Sequence, residues 1–430
     1  MLKKTLLIGL SLILFFSLAQ LTAAKTNGHG PVDLSGELFG APYRIRVPQN
    51  WNGTLLVYAH GYRDKADHPG EVDNRNADIA PSAELETFLL SQGFALAGSA
   101  YRDNGWAVEE GIKDLRNLTL YFRLRVRNPR RTILWGFSMG TVVTFASMER
   151  YSFLYDGALC GCAVGAGSPQ SWDSAGDLML AYDILFGSLP SWGTVGDVRD
   201  DLDFETEVFP KLFAEVNNPA NFPKFEFIRL VGGTPGRGIT PPPPPAFYPG
   251  WIFTDMFFAT EARAELERRA GGPVTQNLNR NYNLTEEEKA YLVSLGVPAP
   301  IIDNWLVSLN AQRNISASFF QRLYLYKNAA YTGKIKNPVL TLHTLYDPLV
   351  TVSQEAEYRE TVERARRTRY LYQAYTNGNG HCNFTGEQLI TSINAINDWV
   401  KNRNKPTAAT FPTALGFLPA DFTPPRMNQP

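Results

Sequence analysis

The sequence predicts an α/β fold, in which a doubly wound and mostly parallel sheet carries an inserted helical cap. Three observations predict it. Short runs rich in β-branched and aromatic residues alternate with helical patterns between residues 55 and 375, which is typical of βαβ units. These runs are almost continuously apolar, as in a sheet that is covered on both faces. The alternation stops between Ser168 and Ile335, where helical patterns occur without a convincing strand among them.

The elements of the predicted sheet domain follow one another in a regular order. The strand-like runs cover residues 54–59, 94–100, 132–135, 158–164, 338–343 and 369–375. The helical patterns between and after them cover residues 82–92, 109–126, 139–151, 353–364 and 385–401. Within the insertion, helical patterns cover residues 177–186, 251–269, 285–295 and 315–331.

The 430 residues suffice for a sheet domain and a large insertion. We expect residues 25–167 and 336–405 to form the sheet domain and residues 168–335 to form the cap. The cap includes a Gly- and Pro-rich segment, 231–250, which predicts an extended surface loop. Residues 406–430 are rich in proline and have no periodicity, so we expect a loosely ordered tail.

The N-terminal residues predict a cleaved signal peptide over residues 1–24. Lys3 and Lys4 precede an apolar run from Leu6 to Leu21, and the small residues at 22–24 suit a cleavage site. An uncleaved membrane anchor is the alternative, but the run is barely long enough to span a bilayer. We therefore expect a secreted or periplasmic protein with no stable membrane insertion after signal cleavage.

Charge and composition argue against several classes of partner. Lys and Arg number 41 against 42 Asp and Glu, and no long basic run occurs, so we expect no nucleic-acid partner. No cluster of His, Cys and Asp residues has the spacing of metal ligands. We therefore expect no metal ion and no organic cofactor.

The sequence Gly136-Phe137-Ser138-Met139-Gly140 indicates where the chemistry lies. A strand-like run precedes it and a helical pattern follows at once, so Ser138 is predicted to sit on a tight strand-to-helix turn. Two glycines flank the turn because a crowded backbone leaves no room for side chains there. The helix N-terminus favours negative charge that develops beside the serine.

These residues resemble the nucleophile turn of the α/β-hydrolase superfamily, and the resemblance covers roughly residues 55–401 outside the cap. It implies Ser138 as the nucleophile and a triad in the chain order Ser, acid, His. Of the five histidines, only His343 and His381 follow Ser138. His343 lies within a strand, whereas His381 follows the last strand, where the superfamily has its base. Asp347, just after the preceding strand, is then the predicted acid.

The sequence Tyr58-Ala59-His60-Gly61-Tyr62 resembles the superfamily's oxyanion loop. The resemblance implies that the backbone N–H groups of Tyr62 and Met139 stabilise the oxyanion. His60 itself is predicted to be structural.

Cys382, next to His381, resembles the cysteine of tannase and feruloyl-esterase sequences, which pairs with a cysteine beside the nucleophile. Here Phe137 stands beside Ser138, so that pairing cannot form. A disulfide from Cys382 to Cys162 or to Cys160 is sterically possible, and the choice between them stays open. Cys160 and Cys162 are two apart on a strand and should share one face, which argues against a bond between them.

The predicted function is the hydrolysis of carboxylic esters, small or polymeric, through an acyl-enzyme. The main alternative is a secreted peptidase of the same fold, similar to aminopeptidases, whose cap would need carboxylates to hold a substrate amine. Glu261, Glu265 and Glu286–Glu288 are available, although a solvated helix face explains them as well. A non-hydrolytic binding protein and a thioesterase or acyltransferase are weaker hypotheses. Part of the cap's aromatic residues are expected to line an apolar pocket; the candidates are Trp172, Tyr182, Phe186, Trp192, Phe253, Phe257, Phe258, Phe319 and Phe320.

Overall fold

The computed structural model describes residues 30–188, 190–234, 237–239 and 248–427. The signal peptide predicted for residues 1–24 lies outside this range. Among the described residues, no helix combines the length and the apolar character that crossing a bilayer requires.

A single eight-stranded sheet forms the centre of the larger part of the chain. Its strands are β1 (Val32–Leu38), β2 (Ala41–Val47), β3 (Thr54–Ala59), β4 (Ala95–Ser99), β5 (Arg131–Phe137), β6 (Gly157–Gly161), β9 (Val339–Tyr346) and β10 (Leu371–Asn379). Two short strands outside this sheet, β7 (Gly193–Thr194) and β8 (Asp197–Val198), lie between β6 and β9. Their order across the sheet is β1-β2-β4-β3-β5-β6-β9-β10. The pairs from β4 to β10 are parallel, and β1 and β2 are antiparallel to their neighbours.

The first two strands were not among those predicted. β1 lies at the sheet edge with most of its residues half-buried or exposed, so it lacks the apolar run that marks the inner strands. β2 instead alternates fully buried and half-buried residues, which is the pattern of a strand with one face toward the core.

Helices cover both faces of the sheet. One face carries α2 (Val108–Tyr121), α3 (Met139–Arg150) and α12 (Ser353–Arg364), and the opposite face carries α1 (Ala83–Ser91) and α13 (Gly386–Asn402). A π-helical turn, Phe122–Val126, extends α2. The predicted fold class, a doubly wound and mostly parallel sheet, is therefore confirmed.

Apart from one small hairpin, the regular elements described between β6 and β9 are helices. The α-helices are α4 (Gly167–Phe186), α5 (Phe209–Val216), α6 (Phe222–Gly232), α7 (Tyr248–Ala259), α8 (Glu261–Ala270), α9 (Glu286–Ser294), α10 (Ala299–Ala311) and α11 (Phe319–Ala329). Two two-residue strands, β7 (Gly193–Thr194) and β8 (Asp197–Val198), form a small hairpin among them. These helices have an apolar core of their own, which includes Tyr182, Trp192 and Phe227.

The helices of the cap differ from the predicted ones in three respects. Helix α4 begins at Gly167, ten residues before the helix predicted over residues 177–186. The single helix predicted over residues 251–269 is two helices, because the backbone of Thr260 leaves the helical region at φ −118° and ψ −95°. Helices α5, α6 and α10 were missed, since a proline stands in the first turn of each. Proline lacks only an N–H group that no intrahelical bond would use at that position, so it begins these helices instead of ending them.

The C-terminal segment after α13 packs along the outer edge of β10. Phe411 and Phe417 are buried, the N–H of Asn377 donates to Gly416 O at 2.9 Å, and the N–H of Leu418 donates to Tyr375 O at 2.8 Å. This differs from the loosely ordered tail expected for residues 406–430. The composition of the segment did not predict this packing, because a few buried aromatic side chains hold in place a segment that has no periodicity.

Candidate active site

Ser138 occupies the sharp turn between β5 and α3. Its backbone has φ 54° and ψ −129°, which lies outside the regions that side-chain-bearing residues favour and costs about 1–3 kcal/mol. The flanking glycines make the turn possible. A Cβ on Gly136 would lie 2.6 Å from Gly140 O, and a Cβ on Gly140 would lie 2.1 Å from Ala59 O. Neither position tolerates a side chain without movement of the backbone.

Three predicted site residues meet at the carboxyl ends of three parallel strands. Ser138 follows β5, Asp347 follows β9 and His381 follows β10. His381 Nε2 lies 2.8 Å from Ser138 Oγ. His381 Nδ1 lies 2.9 Å from Asp347 Oδ2 and 3.0 Å from Oδ1.

Asp347 is held in place by its own turn. Its carboxylate is buried and accepts the backbone N–H groups of Leu349 at 3.0 Å and of Val350 at 2.8 Å. These bonds and the imidazole satisfy the carboxylate, which can therefore orient His381 with Nδ1 protonated and Nε2 facing the serine.

The two amides predicted to bind an oxyanion lie beside Ser138. Tyr62 and Met139 line the same cavity as Ser138. Neither backbone N–H donates to another residue in the part of the chain that the structure describes. The loop passes directly beside the serine, since a Cβ on Gly61 would lie in van der Waals contact with Ser138 Cβ at 3.4 Å.

The two other histidines in the strands and loops around this site, His60 and His343, are buried. His60 stacks on Tyr101 with ring centroids 3.9 Å apart, and its Nδ1 lies 2.7 Å from Gly61 O. Burial lowers the pKa of His60 to about 3, so the ring is neutral. His343 is fully buried within β9, and burial also lowers its pKa. Both environments are those of structural histidines.

A disulfide joins Cys162 to Cys382, with the two Cα atoms 5.1 Å apart. Of the two pairings that remained open, the structure therefore has the one with Cys162. Cys160 is free and buried, and burial raises the pKa of its thiol. The bond fastens the residue after His381 to the end of β6.

The expectation that Cys160 and Cys162 share one face is wrong. Cys160 packs in the core beneath α3 and α12, whereas Cys162 packs in the core on the opposite face. β6 ends at Gly161, and Cys162 has φ 44°, so the alternation of a strand no longer holds there. This left-handed residue turns its side chain toward Cys382.

A cavity between the sheet domain and the cap opens onto Ser138. The aromatic residues that line it are Tyr62 and Trp106 from the sheet domain and Trp172, Phe258 and Tyr282 from the cap. The other cap aromatics have other surroundings. Tyr182 and Trp192 are buried in the cap core, and Phe319 and Phe320 are 73% and 75% exposed.

The cap carboxylates considered as amine ligands do not line this cavity. Glu261 accepts the backbone N–H of Phe204, and Glu265 accepts that of Trp106 at 2.9 Å and pairs with Arg269. Glu288 lies 2.6 Å from Arg237, while Glu286 is 90% exposed. Each of these carboxylates is engaged elsewhere or faces solvent.

Asp255 on α7 lines the cavity and was missed by the sequence analysis. Neither of its buried oxygens has a hydrogen-bond partner among the described residues. Burial raises its pKa well above the usual value, and the charge of Asp347 adds to the rise. The signal was present in the sequence, because Asp255 is the single ionisable residue in the apolar run Trp251–Ala259.

Two groups of side chains in the described chain have atoms close enough to share a metal ion. Cys162, His381 and Cys382 form the first, but its two sulfur atoms are bonded to each other and are not thiolates. Asp64, Glu71 and Glu261 form the second, in which Glu261 already accepts a backbone N–H. Neither group therefore supports the presence of a metal centre.

Comparison with known proteins gives one relative in sequence and several in structure. An o-phthalyl amidase of Xanthobacter agilis is 25% identical over 398 residues, which cover 83% of this chain and 84% of the relative. Feruloyl esterase B of Aspergillus oryzae is 13% identical and covers 87% of this chain and 80% of its own, with a TM-score of 0.41. Proline iminopeptidase of Mycobacterium smegmatis is 10% identical and covers 87% and 100%, also with a TM-score of 0.41. No protein-family model matches the chain.

Proposed function

We propose that this chain, a hydrolase of the α/β-hydrolase fold, cleaves carboxylic esters through an acyl-enzyme formed on Ser138. One observation carries the proposal. An unbroken hydrogen-bonded chain runs from Ser138 Oγ through His381 to Asp347, and it ends at a cavity. A nucleophile within reach of a base, which is itself oriented by a third group, is the arrangement that acyl transfer requires.

The proposed reaction has two halves. Ser138 Oγ attacks the substrate carbonyl while His381 Nε2 takes the serine proton, and Asp347 stabilises the imidazolium that forms. The N–H groups of Tyr62 and Met139 bind the oxyanion, and each such donor contributes roughly 3–4 kcal/mol to transition-state stabilisation. His381 then gives its proton to the departing alcohol. Water, deprotonated by the same imidazole, releases the acid and restores the serine.

An amide is the second candidate substrate, and a specific observation favours it. The relative from Xanthobacter agilis is named an amidase of o-phthalyl compounds, and the likeness extends over most of both chains. The same residues serve amide cleavage, because His381 can protonate a departing amine as well as an alcohol. The aminopeptidase alternative has less support, since the cap glutamates considered for it do not reach the cavity.

We further propose that the protein acts outside the cytoplasm, on a small or polymeric substrate. The signal-peptide pattern of residues 1–24 supports export, and a structural disulfide is compatible with an oxidising compartment.

The decisive experiment compares the wild type with Ser138→Ala on a matched pair, ethyl benzoate and benzanilide. Ser138→Ala should lower kcat by on the order of 10⁶ while leaving the circular dichroism spectrum unchanged. Esters are intrinsically more reactive than amides, so turnover of ethyl benzoate with none of benzanilide would support the esterase proposal, whereas measurable turnover of benzanilide would favour the amidase. Substantial activity in Ser138→Ala would refute both.

A further inference from the structure

Two sulfur atoms lie directly beside the proposed base. Cys382 Sγ lies 3.6 Å from His381 Nε2, and the Sγ atoms of Cys162 and Cys382 lie within 4.8 Å of a ring nitrogen of His381. In the folded chain the two sulfurs are bonded to each other, so neither is a thiolate. The disulfide therefore decides whether these three side chains can act together as ligands.

Hydrogen bonds to β9 hold both cysteine-bearing segments independently of the disulfide. The N–H of Cys162 donates to Leu342 O at 2.8 Å. On the other side, the N–H of Gly380 donates to Tyr346 O at 3.0 Å, and Gly380 O accepts the hydroxyl of Thr344 at 2.9 Å. Because one strand holds both segments, the two cysteine Cα atoms, 5.1 Å apart, should stay close when the S–S bond is broken.

His381 is oriented as a metal-binding histidine is. Its Nδ1 faces the Asp347 carboxylate at 2.9 Å, which leaves the lone pair of Nε2 directed toward Ser138 Oγ at 2.8 Å. A histidine that binds zinc through one ring nitrogen usually donates its other N–H to a carboxylate, because the carboxylate fixes the tautomer and makes the imidazole a better ligand. His381 and Asp347 therefore suit a metal ion as well as a proton.

The spacing of the donor atoms suits a tetrahedral site. Zinc binds thiolate sulfur at about 2.3 Å and imidazole nitrogen at about 2.0 Å, so these two ligands of one zinc ion lie about 3.5 Å apart. Cys382 Sγ and His381 Nε2 already have nearly this separation, 3.6 Å. Both residues are half-buried, so an ion can reach them. Ser138 Oγ or a water molecule is available as the fourth ligand.

We propose that reduction of the disulfide creates a zinc site formed by Cys162, Cys382 and His381, and that zinc bound there inactivates the hydrolase. The inference rests on the proposed function of the same site. A phosphine reductant gives two electrons to the sulfurs and takes the oxygen of one water molecule, whose two hydrogens end on the two thiols. Zinc then displaces both thiol protons and binds the Nε2 lone pair. His381 can no longer accept the proton of Ser138, so acyl transfer stops.

The ligand set selects the ion and the conditions. Thiolates prefer zinc and other thiophilic ions to magnesium or calcium, because those two ions prefer oxygen ligands. For a chain that is exported as proposed, the site is open in the cytoplasm, where thiols stay reduced, and is closed in an oxidising compartment. Formation of the disulfide would therefore both tether the base and release it from inhibition.

The test measures hydrolysis of ethyl benzoate by oxidised and by phosphine-reduced wild type, with and without zinc. Saturating zinc should lower kcat of the reduced enzyme by at least about 100-fold, because it removes one member of the triad, and a chelator should restore it. The oxidised enzyme should be unaffected. Cys160→Ala, at the buried free cysteine on the other face of the sheet, is the matched control and should respond as the wild type does. Reduced Cys382→Ser should lose the response to zinc.

A binding measurement separates this inference from the proposed function. Cadmium titrated into reduced Ser138→Ala should give the ultraviolet charge-transfer absorption of cadmium–thiolate bonds, whether or not any ester is turned over. Oxidised Ser138→Ala should give none, and the added substitution Cys382→Ser should weaken the binding strongly. A reduced chain that gives no such absorption, or a reduced enzyme that keeps its activity in saturating zinc, would overturn the inference.

A stability measurement decides if reduction alone unfolds the chain or abolishes hydrolysis. Zinc should then raise the unfolding midpoint of the reduced wild type and leave that of reduced Cys382→Ser unchanged, because an ion that binds only the folded chain stabilises it. Equal shifts in the two chains would place the zinc elsewhere and overturn the inference, as would no shift in the wild type.

Discussion

At the scale of single residues, the turn at Ser138 combines a strained backbone with a close approach of three segments. Gly140 lies in the first turn of α3, where the end of β3 passes, and Ala59 O and His60 O lie 2.1 Å and 2.7 Å from its Cβ position. These neighbours are backbone atoms and cannot rotate away. The position of Ser138, the proposed nucleophile, therefore depends on a glycine that has no proposed part in the chemistry.

We predict that Gly140→Ala destabilises the protein by about 1–3 kcal/mol or more and lowers kcat, because strand and helix must separate. Gly386→Ala is the control, since no atom lies within 4 Å of its Cβ position. Urea unfolding and ester hydrolysis measure the two effects. Equal stability of the two variants would contradict the account of the turn.

Asp347→Asn tests whether Asp347 orients His381, the proposed base. The amide can no longer accept the Nδ1 proton as a carboxylate does, so we predict that kcat falls by roughly 10⁴ while the fold is kept. Asp201→Asn, at a carboxylate whose side chain is 82% exposed, should retain full activity. Retention of most activity in Asp347→Asn would require another acid for His381.

The sequence indicated some site residues better than others, for physical reasons. Ser138 stood in a motif with a strand before it and a helix after it, and the chain order left His381 and Asp347 as its partners. The periodicity of a strand could not show which side of the sheet Cys162 faces, because the left-handed backbone of this residue turns its side chain to the opposite side. Asp255 was overlooked since its importance comes from the missing partners, which only the folded chain shows.

At the scale of elements, α12 is joined to the sheet through a buried acid. Glu355 accepts the Thr341 hydroxyl at 2.7 Å and the side-chain amide of Gln373, so it bridges the helix to β9 and β10. Burial raises its pKa from 4.5 to about 7. The folded state therefore holds this proton more tightly than the unfolded chain does.

We predict that the stability due to this proton is fully present below pH 4.5 and is lost as the pH rises to about 7, by about 3 kcal/mol in total. Glu355→Gln should remove that part of the pH dependence, because an amide does not titrate. Urea unfolding at several pH values from 4 to 8 measures the slope. The exposed Glu387→Gln serves as control, and a Glu355→Gln profile that matches the wild type would count against the prediction.

Which elements the sequence revealed depends on how they are buried. The inner strands and their flanking helices show apolar runs and periodicity because both faces of the sheet are covered. β1 shows neither, since it lies at the edge, and α5, α6 and α10 begin with prolines that resemble breaks. The sequence therefore revealed the covered part of the sheet and concealed its first two strands and three of the eight helices described in the cap.

At the scale of the whole molecule, the disulfide closes a loop of 220 residues that contains every element of the cap. Such a loop restricts the unfolded chain, and the chain-entropy model predicts a stabilisation of about 5 kcal/mol. We predict that reducing agent lowers the unfolding midpoint of the wild type and leaves that of Cys162→Ser unchanged. Titration of denatured, unreduced protein should find one free thiol; three would exclude the bond.

The segment that follows α13 has a consequence for solubility. β10 is the last strand of the sheet, so its outer edge would present unpaired N–H and C=O groups if nothing covered it. The bonds from Asn377 to Gly416 and from Leu418 to Tyr375 occupy part of that edge, and the side chains of Phe411 and Phe417 fill the space beside it. A chain cut after Lys405 would keep Ser138, Asp347 and His381 and yet expose a template onto which a second molecule could add a strand. We expect such a chain to self-associate into aggregates that light scattering detects, while freshly prepared protein keeps the activity of the full chain.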